Sequence, residues 1–127
     1  MENAPFSFKK RIYSFRYAIN GIKQLIITEH NARIHLSAAI ITIGCGIWLG
    51  ISPVEWMIII MCIGLVFGAE CFNSAVEAIS DFVSPEYHNT IKRIKDLAAA
   101  GVLCVALASA ITGCIIFIPK IIVYFIS

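Results

Sequence analysis

The sequence predicts an all-α integral membrane protein in which three transmembrane helices follow an amphipathic helix on the membrane surface. Hydrophobic residues make up 59% of the 127 positions and charged residues only 14%, whereas soluble domains average about 45–50% apolar and about 25% charged residues. The charged residues lie mostly at the edges of three long apolar segments. The length fits one membrane-embedded domain that covers residues 1–127.

The surface helix is predicted over about residues 6–34. Large apolar side chains recur there every three or four residues, at Ile12, Phe15, Ile19, Ile22 and Ile26. Polar and basic side chains occupy the opposite face, a pattern typical of a helix that lies in the membrane interface. The alternative is a soluble helix packed on protein, although the chain offers little soluble protein for such a helix to cover.

The three spans are predicted over about residues 36–53, 54–83 and 97–119. The first and third contain uncharged runs close to or above the roughly 20 residues needed to cross a bilayer. The second uncharged run is shorter, but it continues in a helical pattern that only three acidic residues interrupt. The segments GISP and SPEYHN between the spans are typical of tight connections.

The distribution of basic residues predicts the topology. Six of them precede the first span and three follow the second, whereas the loop over residues 50–55 has none. Under the positive-inside rule the N-terminus lies in the cytoplasm and the C-terminus outside, with Lys120 as a single exception.

Charge and cysteine content exclude two classes of function. Ten basic residues against eight acidic ones are too balanced for nucleic-acid binding, so no nucleic-acid partner is expected. The five cysteines lie in or beside apolar runs without a CxxC pair. This placement favours small buried side chains over a metal or redox site.

The second predicted span carries a polar stripe formed by Glu70, Asn73, Glu77 and Asp81. At about 100° per residue, these four side chains fall within a sector of about 80° on one helix face. Carboxylates on a membrane helix are costly where they meet lipid, so they must face protein, water or a cation. One alternative is a polar seam that only fixes helix packing, for which a single acid and a single amide would suffice.

The polar stripe predicts a magnesium-nucleotide site at the cytoplasmic interface. Neighbouring carboxylates repel one another unless they are protonated, paired with bases or bound to a hard divalent cation. Acidic and basic residues before the first and third spans are expected at the same membrane level. Carboxylates suit Mg²⁺, and lysine and arginine suit polyphosphate. An ion- or proton-conducting oligomer is the competing interpretation, but it leaves the basic residues without a role.

The segment AECFNSAVEAISDFVSPEYH, followed by KRIKDLAAAGVL, resembles the membrane-embedded prokaryotic diacylglycerol kinase family, which also contains the undecaprenol kinases. The resemblance extends from FRYAINGIK through the third span. It implies a homotrimeric bundle of three-span subunits in the bacterial inner (plasma) membrane, with active sites shared between subunits at the cytoplasmic interface. It also implies an activity, the phosphorylation of a membrane lipid alcohol by ATP with Mg²⁺ as cofactor.

The resemblance also implies roles for individual residues. Glu70 matches the catalytic base, Asn73 is expected to orient Glu70 or the substrate, and Asp81 has a supporting role. Glu29 and Glu77 match the carboxylates that hold magnesium. The residues implied in ATP binding are Lys10, Tyr17, Glu29, Glu77, Glu86, His88, Lys95 and Asp96.

Some of these positions also have simpler interpretations. Lys95 is expected to neutralise phosphate, and Asp96 to position Lys95 or to bind the nucleotide. The alternative for Asp96 is a charge that stabilises a helix N-terminus. The alternative for Tyr17 and His88 is ordinary anchoring in the membrane interface.

One short segment of the sequence bears on which lipid is the substrate. TEHNARIH at residues 28–35 is more similar to the undecaprenol kinases, since proteobacterial diacylglycerol kinases tend to carry an acid where His35 stands. The resemblance therefore slightly favours undecaprenol over diacylglycerol.

Overall fold

The computed structural model describes residues 4–127, so the first three residues of the predicted domain lie outside it. The chain forms four helices: α1 (Phe8–Thr28), α2 (His30–Leu49), α3 (Pro53–Val83) and α4 (Asn89–Ile126). The last three are long and apolar enough to cross a membrane. The predicted all-helical fold with three candidate spans is therefore confirmed.

The boundary between α1 and α2 lies at Glu29, earlier than the position near residue 34 that the sequence predicts. Glu29 has an extended backbone with φ −103° and ψ 119°, which ends one helix and begins the next. Buried Leu25 and Ala32 lie on either side of this break. The prediction was wrong because it followed the uncharged run, whereas α2 begins with a polar first turn.

A short connection joins α2 to α3. Gly50 ends α2 with φ 63°, a left-handed conformation that glycine adopts without a steric penalty. Ser52 then caps α3 through a reciprocal pair of hydrogen bonds with Glu55, and Pro53 occupies the first helical position. Just before this connection, Gly46 packs against the indole ring of Trp56.

The fourth helix is longer at both ends than the predicted span over residues 97–119. Its first two turns, from Asn89 onward, are polar, and the Nδ1 atom of His88 caps them by accepting a hydrogen bond of 3.1 Å from the Thr90 amide. At the other end the helix continues through Pro119 to Ile126. A proline removes one backbone hydrogen bond, yet α4 is not interrupted at Pro119, which is an exposed position.

The apolar core of a single chain is small. Its central cluster consists of Ile51, Ile59 and Ile116, with Trp56 and Phe117 packed against it. The α3 and α4 helices pack along most of their length, whereas α2 contacts them less. An apolar cavity of about 520 Å³ lies between these three helices. This interhelical cavity reaches from His35 on α2 to Ile121 on α4.

The prediction that the cysteines are buried is wrong for the single chain. Cys104 and Cys114 are exposed, and the other three are half-buried. All five are free thiols. Their positions on membrane-length helices explain the difference, because an apolar side chain there faces lipid or another subunit rather than the core of its own chain.

Candidate active site

The polar stripe on α3 becomes more exposed toward the end of the helix. Glu70 is only 2% exposed, Asn73 and Glu77 are half-buried, and the side chain of Asp81 is 67% exposed. Glu70 and Asp81 are about 16 Å apart along the helix axis. The stripe therefore connects the interior of the helix bundle with the polar end where α3 and α4 meet.

His35 on α2 is the group that faces Glu70. Its Nε2 atom lies 3.1 Å from Glu70 Oε1, and 23% of the histidine side chain is exposed. No N–H or O–H group among the described residues is aimed at Oε1 closely enough to form a hydrogen bond. The contact therefore brings two ionisable groups within ion-pairing distance without fixing a proton between them.

Asn73 lies one helical turn after Glu70 on the same stripe. Its side-chain Oδ1 atom is buried and accepts no hydrogen bond from residues 4–127. A buried amide oxygen without a donor is unfavourable by about 1–3 kcal/mol. The oxygen is thus available to a hydroxyl group of a molecule bound beside Glu70.

Glu29 and Glu77 lie at similar levels on neighbouring helices. The contacts of Gly46 with Trp56 and of His35 with Glu70 show that α2 and α3 run antiparallel. Glu29 precedes His35 by six residues and Glu77 follows Glu70 by seven, which is about 9 Å and about 10 Å along the respective helix axes. Both carboxylates therefore lie toward the same polar end of the bundle.

These two carboxylates have the chemistry that Mg²⁺ requires. Both residues are half-buried, and neither carboxylate forms an ion pair or hydrogen bond with another described residue. Within residues 4–127 no group of three or more ligating side chains is assembled. Proteins usually hold Mg²⁺ with one or two carboxylates while phosphate oxygens and water complete the shell. The donor set fits that pattern.

The basic residues of α4 make two ion pairs at the same end. The Lys95 ammonium group donates a hydrogen bond to Asp81 on α3. Asp96 instead accepts a bond of 2.6 Å from Lys92, one turn earlier on its own helix. The expectation that Asp96 positions Lys95 is wrong, because adjacent residues on a helix point in different directions. Asp81 holds Lys95 in place.

The remaining predicted ATP-binding residues lie on α1 and in the connection before α4. Lys10 and Tyr17 are exposed on α1, and Lys10 lies about 27 Å from Thr28 along that helix. Glu86 is exposed, and His88 uses Nδ1 to cap α4. Lys10 and Glu29 are therefore too far apart to contact one phosphate group from the same chain.

The contact between His35 and Glu70 is the feature that sequence reasoning missed. From the sequence, His35 was expected near the cytoplasmic end of the first span, and its identity served only to compare the two candidate substrates. The available signal was an ionisable residue in the second turn of α2, at the start of the apolar run that follows the polar first turn. Its partner, 35 residues away, becomes visible only when α2 and α3 are packed together.

Comparison with known proteins identifies the family. The profile described as "Prokaryotic diacylglycerol kinase" matches residues 16–117. The "Undecaprenol kinase" of Bacillus subtilis (strain 168) is 41% identical over 109 residues, which cover 85% of this chain and 88% of that protein. The "Diacylglycerol kinase" of Escherichia coli (strain K12) is 30% identical over 116 residues, covering 91% of this chain and 95% of that protein. The chain therefore belongs to the prokaryotic diacylglycerol kinase family of membrane lipid kinases.

Proposed function

We propose that this protein transfers the γ-phosphoryl group of ATP to the hydroxyl group of a membrane lipid alcohol in a Mg²⁺-dependent reaction. The observation that carries this proposal is the buried Glu70 carboxylate at the inner end of a polar stripe, in a chain that belongs to a lipid kinase family. That membership favours a kinase over an ion-conducting oligomer.

Glu70 acts as the general base in this proposal. A lipid alcohol enters sideways between the helices, and its hydroxyl group lies beside Glu70 and Asn73. The hydroxyl oxygen attacks the γ-phosphorus in line with the leaving ADP while its proton moves to the Glu70 carboxylate. The buried Asn73 Oδ1 atom, which lacks a donor among the described residues, orients the hydroxyl or Glu70.

Glu29 and Glu77 would hold the magnesium ion, since their carboxylates are free of protein partners in the described part of the chain. A magnesium ion held there would supply positive charge that offsets the negative charge developing on the phosphates. Lys95, held by Asp81, supplies a further positive charge to the phosphates. Lys10, Tyr17, Glu86, His88 and Asp96 contribute to ATP binding in this proposal.

Undecaprenol is the proposed lipid substrate, with diacylglycerol as the alternative. The chain is 41% identical to the undecaprenol kinase of Bacillus subtilis and 30% identical to the diacylglycerol kinase of Escherichia coli. The difference in identity supports the polyprenol. Both substrates present a primary alcohol at the polar end of a lipid with long hydrocarbon chains, so the same base and metal residues serve either one.

The proposed assembly is a homotrimer in the bacterial inner membrane, with the N-terminus in the cytoplasm, α1 in the membrane interface and active sites shared between subunits. The small core of the single chain and its many exposed apolar side chains support an oligomer. The position of Lys10, far from Glu29 along α1, supports shared sites.

A phosphoryl-transfer assay tests the activity and the substrate together. The purified protein in detergent micelles receives ATP labelled at the γ-phosphorus and either undecaprenol or diacylglycerol, with and without Mg²⁺. We expect label in the lipid phase only when Mg²⁺ is present, and faster labelling of undecaprenol. No labelling of any lipid alcohol would refute the proposed activity, and faster labelling of diacylglycerol would reverse the substrate assignment.

A further inference from the structure

The contact between His35 and Glu70 is not used in the proposed phosphoryl transfer, although it is the ion-pairing contact that Glu70 makes among the described residues. The His35 Nε2 atom lies 3.1 Å from Glu70 Oε1. A role for His35 in turnover rests on the proposed function, because it requires Glu70 to act as the general base.

A buried general base needs a route by which its proton can leave. The Glu70 side chain is 2% exposed, so the proton taken from each lipid hydroxyl cannot pass directly from the carboxyl group to water. The enzyme must restore the carboxylate before the next turnover. His35 is about ten times more exposed than Glu70, since 23% of its side chain is accessible.

We propose that His35 is a positioning residue that relays the proton from Glu70 to water. The lipid hydroxyl oxygen forms a bond to the γ-phosphorus as the bond to ADP breaks, and the hydroxyl proton moves to Glu70. The Glu70 carboxyl group then gives this proton to His35 Nε2, which restores the carboxylate and forms an imidazolium ion. The imidazolium releases the proton to water, so one proton leaves for each lipid phosphorylated.

Among the described residues, His35 is the side chain placed to accept a proton from Glu70. The basic side chains of α1, which packs on α2 and α3, are Lys9, Lys10, Arg11, Arg16 and Lys23, and none forms an ion pair with Glu70. On α4, Lys92 and Lys95 pair with Asp96 and Asp81. On the side of the interhelical cavity, the titratable side chains that line the space with His35 are the Cys45, Cys62 and Cys114 thiols.

The cavity also makes the relay accessible to a chemical test. His35 lines its polar end, and the cavity volume of about 520 Å³ is larger than an imidazole molecule. His35→Ala would remove the ring and leave a space beside Glu70. Added imidazole can enter that space and carry the proton as a free base.

The experiment compares kcat, the KM for ATP and the pH profile of wild type, His35→Gln and His35→Ala. We expect His35→Gln to lower kcat by at least about tenfold, since proton transfer by a positioned group typically contributes about 10²–10⁴-fold. The KM for ATP should change by less than about twofold, because His35 does not contact the nucleotide in this proposal. The relay needs an unprotonated His35 Nε2 atom to receive the proton, so the pH profile of His35→Gln should differ from the wild-type profile. Imidazole should restore the kcat of His35→Ala in proportion to its concentration.

His30→Gln is the matched control, because it removes an exposed histidine from the same helix. It should retain wild-type kcat and pH dependence. A His35→Gln enzyme with the wild-type kcat and pH profile would overturn the relay, and so would a loss that imidazole does not reverse. If His35→Gln is normal while Glu70→Gln is inactive, the relay alone fails. If wild type phosphorylates no lipid alcohol, the proposed function fails with it.

Discussion

A carboxylate that is 2% exposed is unfavourable in a folded chain unless its surroundings compensate it. Around Glu70 the compensation is a single histidine, and the amide oxygen of Asn73 one turn away has no donor among the described residues. Such incomplete pairing favours a functional role over a structural one, because a polar seam that only fixed packing would satisfy its own members.

The first prediction tests Glu70 as the general base. Glu70→Gln keeps the volume of the side chain but cannot accept a proton, so kcat should fall by about 10²–10⁴-fold. The midpoint of thermal unfolding should remain close to wild type, because the substitution removes a buried charge without opening a cavity. Both are measured on purified protein in micelles.

Glu55→Gln is the control for Glu70→Gln, since it removes a carboxylate from the opposite end of the same helix. It should retain lipid phosphorylation. Activity of Glu70→Gln within about tenfold of wild type would remove Glu70 from the role of base.

The second prediction concerns the shared metal. Glu29→Ala and Glu77→Ala should each raise the Mg²⁺ concentration for half-maximal activity by about tenfold or more, because each removes a ligand from one ion. The double variant should need little more Mg²⁺ than the more strongly affected single variant, since two ligands of one ion have coupled effects. Magnesium titrations of the three variants measure this. Losses that multiply would indicate two separate sites.

The sequence predicted individual residues better than their pairs. Spacing alone placed Glu70, Asn73, Glu77 and Asp81 on one face, because helical periodicity is a local property. It did not predict that Asp81 holds Lys95 or that His35 faces Glu70. These contacts join residues on different helices, so they depend on how the helices pack.

At the scale of elements, two ion pairs fix the register of α3 and α4. Asp81 pairs with Lys95 at one end, and Glu55 pairs with Lys120 at 3.1 Å at the other. Twenty-six residues separate the two acids and twenty-five separate the two lysines, about 39 Å and about 38 Å along the helix axes. These lengths exceed the roughly 30 Å hydrocarbon core of a bilayer. Both pairs thus fit at the polar boundaries of a membrane.

This arrangement explains why Lys120 departs from the positive-inside pattern. Its ammonium group is paired with Glu55, so the far end of α4 carries little uncompensated positive charge. The sequence could not show this, because the partner lies on another helix. It also could not show that α4 continues beyond Pro119, since proline in a sequence ordinarily indicates a helix end.

The third prediction tests the packing of α2 against α3. A Cβ atom at Gly46 would lie 2.8 Å from Trp56 Cη2 and 3.1 Å from Ile51 Cδ1. Gly46→Ala should therefore destabilise the fold by about 1–3 kcal/mol, because the ring must move. Thermal unfolding in detergent micelles measures the change.

Gly44→Ala is the matched control on the same helix, because a Cβ atom there meets nothing within 4 Å. It should leave stability unchanged or raise it slightly, since alanine favours helix over glycine by about 1 kcal/mol. Equal losses of stability in the two variants would show that the approach to Trp56 is not the cause.

At the scale of the whole molecule, the direction of α1 decides how a site can be assembled. Lys10 lies about 27 Å from Thr28 along this helix. If α1 lies in the plane of the membrane, as proposed, this distance is a sideways displacement from the subunit's own Glu29. Lys10 can then contact a nucleotide only at the site of a neighbouring subunit. In a closed ring, each subunit gives Lys10 to one neighbour and receives it from the other.

The last prediction tests this exchange by mixing two inactive variants. Lys10→Glu repels phosphate, and Glu70→Gln lacks the base, so each homotrimer should be inactive. In mixed trimers a site is intact when its Glu70 comes from a Lys10→Glu chain and its Lys10 from a Glu70→Gln chain. Random assembly at equal amounts should restore about one quarter of wild-type activity. Separate affinity tags on the two variants verify that mixed trimers form.

A second mixture excludes a dilution effect, because shared sites and sites built within one chain would leave different fractions of the sites intact. Wild type is mixed in equal amounts with a chain that carries both Lys10→Glu and Glu70→Gln. Shared sites leave about one quarter of the sites intact, whereas sites built within one chain leave about one half. Zero activity in the first mixture with one half in the second would show that each chain builds its own site. That outcome would require α1 to fold back toward its own Glu29, because a helix in the plane of the membrane carries Lys10 away from it.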